Sequence, residues 1–168
     1  MVPAGSSLPL GRRTMRRSER EIRGIQEIEA IVQRAHVCRI GLSDGHLPYV
    51  VPVNFGYRGR TLYFHCAMEG RKLDMIRKNN YVCFEVDIDE EIVRRPGEPC
   101  GWSARYRSVI GFGRAFVVQK TEEKSEALNI IMQHYGGASY AFSSKELENV
   151  VVVRVAIDTM TGKKAGYD

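Results

Sequence analysis

The stretch YFHCAMEGRKLDMIRKNN, Tyr63 to Asn80, begins as a strand, turns through small residues and launches a helix. Leu73 and Ile76, with Met75 beside them, predict the helix's buried side, and Asp74 with Lys78 an exposed i,i+4 pair. Its first turn carries Arg71 and Lys72, at the wrong end of a helix for positive charge. Free N–H groups already make that end positive, so each added cation costs about 0.3–1 kcal/mol. Two readings account for the pair: it faces a bound anion, or both side chains bend away into water. Gly70 lets an anion approach closely, and arginine offers phosphate a two-pronged fork.

Strands surround this helix. VCRIGLS (37–43) and LPYVVPVNFGY (47–57) flank Asp44-Gly45, a hairpin signal. Pro48 and Pro52 make the second of these an edge or bulged strand. Asn54 then stands in apolar surroundings, where its amide and the nearby backbone could meet a planar heterocycle or simply satisfy a turn. TLYFHC (61–66), YVCFEVD (81–87), YRSVIGFGRAFVV (106–118) and VVVVRVAIDTMTG (150–162) supply further strands. Gly111 and Gly113 share one face of the long strand, which predicts bending or the close approach of a backbone or ligand. Residues 88–103, with two prolines and two glycines, read as a long loop. Trp102 and Tyr106 read as core or interface aromatics, Arg105 and Arg107 as surface charges.

Residues 26–35 form a helix with Ile28, Ile31, Val32 and Ala35 on one stripe. Ser18 and Glu21 make a capping-box signature ahead of it, interrupted at Gly24. A later helix, capped by Thr121, carries the stripe Ala127, Leu128, Ile131, Met132 and Tyr135 and stops at Gly136-Gly137. The order is helix, three antiparallel strands, helix, two strands, helix, strand. Hairpins and a glycine-bent strand make this a mainly β chain, a small β-barrel with helices at its ends.

Composition narrows the function. The chain has 168 residues, enough for one domain, expected over 18–168 behind a basic extension at 1–17 whose first 14 residues lack periodicity. The net charge of +5 and pI near 9.1 owe much to Arg12, Arg13, Arg16, Arg17 and Arg20. A basic arm can grip nucleic acid, but no RNA-binding or helix-turn-helix pattern accompanies it, so it reads as a solvated tail. No apolar run reaches the length of a membrane span, and the start has no signal-peptide core. Four cysteines without a CxxC pair fit a reducing cytoplasm. His65 and Cys66 point to opposite faces of a strand and cannot readily share a metal. No strand leads into G-x-G-x-x-G, and neither G-x-S-x-G nor H-E-x-x-H occurs.

Taken in order, the segment from Arg34 to Asp87, then YRSVIGFGRA, then MTGK, resembles the pyridoxamine 5′-phosphate oxidase-like FMN-binding split barrels, most of all their 5-nitroimidazole resistance branch. The resemblance spans Met15 to Lys164. It implies a six-stranded antiparallel split barrel, a homodimer, and two FMN molecules in clefts between the subunits. Carried across, Pro52, Val53 and Asn54 line the isoalloxazine, His65 and Cys66 end a strand beside the flavin, and Arg71 and Lys72 grip the phosphate. Ser108 stands where the oxidases carry a glutamine that reaches the cofactor, a departure that weakens this contact. No Arg-x-His-like stretch accompanies MTGKKAGYD, so oxidation of pyridoxamine phosphate itself is not expected. The resemblance implies instead an FMN-dependent oxidoreductase acting on small electron-poor compounds such as nitroaromatics, with His65 as the candidate proton donor. The alternatives are a flavin- or haem-binding module without turnover, His65 or His36 then ligating the iron, and FAD or a deazaflavin in place of FMN.

Overall fold

The structure, a computed structural model, describes residues 15–167; most of the expected N-terminal extension lies outside them. After a 3-10 turn, the elements are β1 (Glu21–Ile22), α1 (Ile25–Arg34), β2 (Cys38–Ser43), β3 (Pro48–Val53), β4 (Phe55–Arg58) and β5 (Thr61–Cys66). They continue with α2 (Arg71–Lys78), β6 (Tyr81–Val93), β7 (Ser103–Val117), α3 (Thr121–His134), α4 (Ser144–Glu148) and β8 (Val151–Ala165). No described helix is long and apolar enough to cross a membrane.

All eight strands join one antiparallel sheet, in the order β3-β2-β6-β7-β8-β5-β4, with β1 on β8. Its two edges, β3 and β4, are consecutive in the chain. Val53 pairs with Cys38 and Phe55 with Phe64, and only Asn54 lies between the two pairings. The sheet therefore curls until its edges meet through the chain rather than through hydrogen bonds, which is a split barrel. The count of eight against an expected six has a simple cause. The run 47–57 divides at Asn54 into two edge strands, and the two-residue β1 is added. The prolines of β3 are tolerated because an edge strand has one unbonded side.

Alternation along the strands fills the barrel. Ile40, Leu62, Phe64, Phe84, Val86, Val109, Val153 and Val155 are buried in one cluster with Ile28, Ile31, Val32 and Ala35 of the α1 region. Gly111 and Gly113 are required by neighbours, not by a ligand: a Cβ would strike the Phe84 ring at the first and the Ala156 carbonyl at the second.

Four sequence readings change. The loop read at 88–103 is shorter, 94–102, because β6 and β7 continue as a two-stranded ribbon that pairs Glu91 with Arg105 and Val93 with Ser103. Ser18 starts a 3-10 turn rather than a capping box; the reciprocal box forms at Ser143 and Glu146 instead. Thr121 is the first residue of α3, after Lys120, and caps nothing with its side chain. That helix buries Ala127, Ile130 and Ile131, while Met132 and Tyr135 remain exposed. It lies flush on β4, where a Cβ at Gly56 would come within 2.7 Å of the helix backbone at Ile130.

Candidate functional site

Helix α2 starts at Gly70, whose φ of 137° suits glycine alone, with nothing within 4 Å of where a Cβ would stand. No side chain caps this end; the Leu73 and Asp74 N–H groups bond the Gly70 carbonyl, and those of Arg71 and Lys72 precede the first helical hydrogen bonds. Leu73, Met75 and Ile76 turn inward as the spacing predicts. Asp74 pairs with Arg77 at 3.2 Å, not with Lys78, since Arg77 also lies one turn away.

Arg71 and Lys72 have no carboxylate partner among the described residues; each lies against an aromatic face. The Arg71 guanidinium carbon is 5.0 Å from the centre of the Tyr49 ring on β3, and the Lys72 ammonium 5.3 Å from that of Phe64 on β5. Tyr49, on the edge strand β3, and Phe64, on β5 next to the other edge β4, therefore both reach the start of α2. Sequence reading missed both aromatics, although Tyr49 keeps the period-two phase of Val51 and Val53 and so shares their inward face. Most other arginines on the barrel and its helices hold carboxylates: Arg34 and Arg107 share Asp89 at 2.6 Å each, and Arg105 reaches Glu91 at 3.2 Å. Arg107 is thus not a free surface charge, and its guanidinium also stacks on Tyr167.

The other candidate residues fall into two groups. Cys66, last in β5, shares the face of Phe64; burial pushes its thiol above the usual range, against the pull of Lys72 and Arg77. His65 is exposed on the opposite face of β5. Val53 is buried, and Pro52 and Asn54 are exposed at the split. Ser108 lies elsewhere, in mid-β7 between Asp87 of β6 and Lys163 of β8. Its register continues an outward-facing row next to Pro52, Arg39, Glu85 and Ile110, so within one chain Pro52 and Ser108 share the outer face of the sheet.

A profile described as pyridoxamine 5′-phosphate oxidase matches residues 25–164, nearly the whole chain. The chain belongs to the pyridoxamine 5′-phosphate oxidase family. Among solved structures, it is similar to a 5-nitroimidazole antibiotic resistance-like protein of Bacteroides thetaiotaomicron VPI-5482, at 39% identity over 86% of each chain and a TM-score of 0.77. An FAD and haem binding protein of Mycobacterium smegmatis superposes with a TM-score of 0.78 at 19% identity, covering 88% of this chain and 74% of that one. The flavocytochrome Anf3 of Azotobacter vinelandii does so at 0.76 and 20% identity, covering 91% and 72%. These two share the fold. No protein with a curated description matches.

Proposed function

We propose that this chain is an FMN-binding oxidoreductase that works as a homodimer and reduces small electron-poor compounds such as nitroaromatics. The observation that carries the reading is the Arg71–Lys72 pair, uncompensated by any described carboxylate and set on a helix start that no side chain caps. That donor set fits a phosphate monoester: two full positive charges, a planar fork and an uncapped helix start after a glycine that admits close approach. Pro52, Val53 and Asn54, on the neighbouring edge, offer backbone and amide groups to a flat ring system. When bound, the flavin supplies the electron and hydride chemistry, and the protein binds it, orients it and limits its contact with water. His65, at the end of β5, is assigned the proton delivered to reduced product from its imidazole. Family membership and the 39%-identical relative support flavin over other phosphorylated ligands.

Dimerisation is supported by the outer face of the sheet. Val50, Cys83 and Phe112 fall in one cross-strand row and Ile110 in the next, with Val50 65% and Ile110 43% exposed. Exposed apolar side chains beside the Arg39–Glu85 ion pair suit a mixed, partly apolar interface. Ser108 stands on the same face and would serve a partner's site better than its own. The four free cysteines agree with a reducing cytoplasm.

The test is the visible spectrum of the purified protein before and after FMN addition, with released cofactor identified by mass. Each charge-assisted phosphate contact contributes about 1.5–3 kcal/mol, so Arg71→Ala/Lys72→Ala should weaken FMN by at least a hundredfold. An unchanged affinity in the double variant, or a colourless protein that takes up no flavin, refutes the reading. A flavin that turns over with oxygen but with no nitroaromatic acceptor leaves the binding half and removes the reductase half.

A further inference from the structure

The two cations at the start of α2 rest on rings and meet no described carboxylate, as Arg114 does on Tyr81, whereas Arg34, Arg39, Arg105 and Arg107 are held by acids. A carboxylate positions a guanidinium by occupying its N–H fork and neutralising its charge. An aromatic face positions it through the ring quadrupole and leaves the in-plane N–H donors unused. For a site that must bind an anion, only the second arrangement keeps the cation both ordered and available.

We propose that Tyr49 is a positioning residue for anion recognition: its ring holds the Arg71 guanidinium with fork and charge free for the phosphate of the cofactor. The proposal rests on the flavin phosphate reading above. Three features support it. Tyr49 is half-buried and packed on the core, so its ring is a fixed surface rather than a mobile one. Arg71 is exposed and meets no carboxylate among the described residues, so the ring at 5.0 Å is its named tertiary contact. Lys72 repeats the device on Phe64, which is fully buried on β5, the strand next to the edge β4. Strands on the two sides of the split thus each supply one aromatic support to one cation.

The experiment compares FMN with riboflavin, which lacks the phosphate, in the full-length chain and three variants. Tyr49→Leu removes the ring and should weaken FMN by about three- to thirtyfold, the range of a cation–π contact, while leaving riboflavin affinity within about twofold. Tyr49→Phe keeps the ring and should restore FMN binding. In an Arg71→Gln background, Tyr49→Leu should cost FMN no more than about a further twofold, because the cation it holds is gone. Independently of any cofactor, the Arg71 side-chain protons of the wild-type chain should show upfield ring-current shifts in NMR that those of Arg77 lack. Equal losses for FMN and riboflavin, full additivity with Arg71→Gln, or an unshifted Arg71 would each overturn the positioning role. Wild-type protein that binds riboflavin and FMN equally overturns the phosphate reading itself, and is told apart because it needs no variant.

Discussion

The hydroxyl of Tyr135 accepts the backbone N–H of Phe55 at 3.0 Å and donates to the carbonyl of His36 at 2.7 Å. Phe55 opens β4, one edge of the split barrel, and His36 leads into β2, which carries the other edge. One phenol just past the end of α3 therefore ties both sides of the opening. Tyr135→Phe removes the tie and leaves the Phe55 N–H without its partner. We expect a loss of about 1–2 kcal/mol, read as a lower urea midpoint with an unchanged m-value. A midpoint equal to wild type would show that water replaces the hydroxyl fully.

Gly56 sets how closely α3 approaches β4. An added Cβ would lie 2.7 Å from backbone atoms of Ile130, and backbone, unlike a side-chain tip, cannot step aside. Gly56→Ala should cost about 1–3 kcal/mol and lower the melting temperature by several degrees. Gly45→Ala, in open space but at a φ of 99°, tests strain without crowding. If the two variants melt alike, helix contact is not what requires Gly56.

Asp89 should make stability depend on acid pH. Burial pushes its carboxyl up, but the hydrogen bonds from Arg34 and Arg107 outweigh this and hold it below the usual carboxylate range. A carboxyl lowered on folding stabilises the fold fully above its unfolded value, about 3.9, and loses that stabilisation as pH falls through the lowered value. Asp89 has a φ of 58°, which asparagine adopts readily, so Asp89→Asn isolates the charge. It should lose a few tenths to about 1 kcal/mol at pH 7 and match wild type once the pH has fallen well below the lowered value. A stability gap that persists unchanged into strong acid would rule out the ion pairs as its source.

His65 is exposed at the end of β5 and carries the proposed proton transfer. His65→Ala should retain FMN and lower turnover with a nitroaromatic acceptor by about tenfold to a thousandfold. Unchanged turnover removes the role.

The outer face of the sheet gives a prediction about assembly. Ile110→Asp places a charge beside Phe112 on the outer face, on a side chain already 43% exposed in the single chain. Sedimentation should find a dimer for wild type and monomers for the variant, with FMN affinity reduced alongside. A wild-type monomer that holds FMN would contradict the homodimer outright.

The strands and α1 were legible in the sequence because burial alternates between neighbours in the chain: Ile28, Ile31, Val32 and Ala35 declare one helix face, and Leu62 and Phe64 one strand face. Arg71 and Lys72 were legible as a candidate site because charge at a helix start is a purely local anomaly. The ribbon of the end of β6 and the start of β7 was not, since its residues are largely exposed and held by mutual pairing, which leaves no hydrophobic period to read. Nor could local pattern show that β5 would lie beside β8, that the split would fall at Asn54, or that Asp89 would join α1 to β7. These are relations between segments tens of residues apart, decided when the whole sheet curls to bury both sets of inward side chains at once. Tyr49 belongs to both accounts: its inward phase is written in the sequence, and only the closure of the barrel brings it under Arg71.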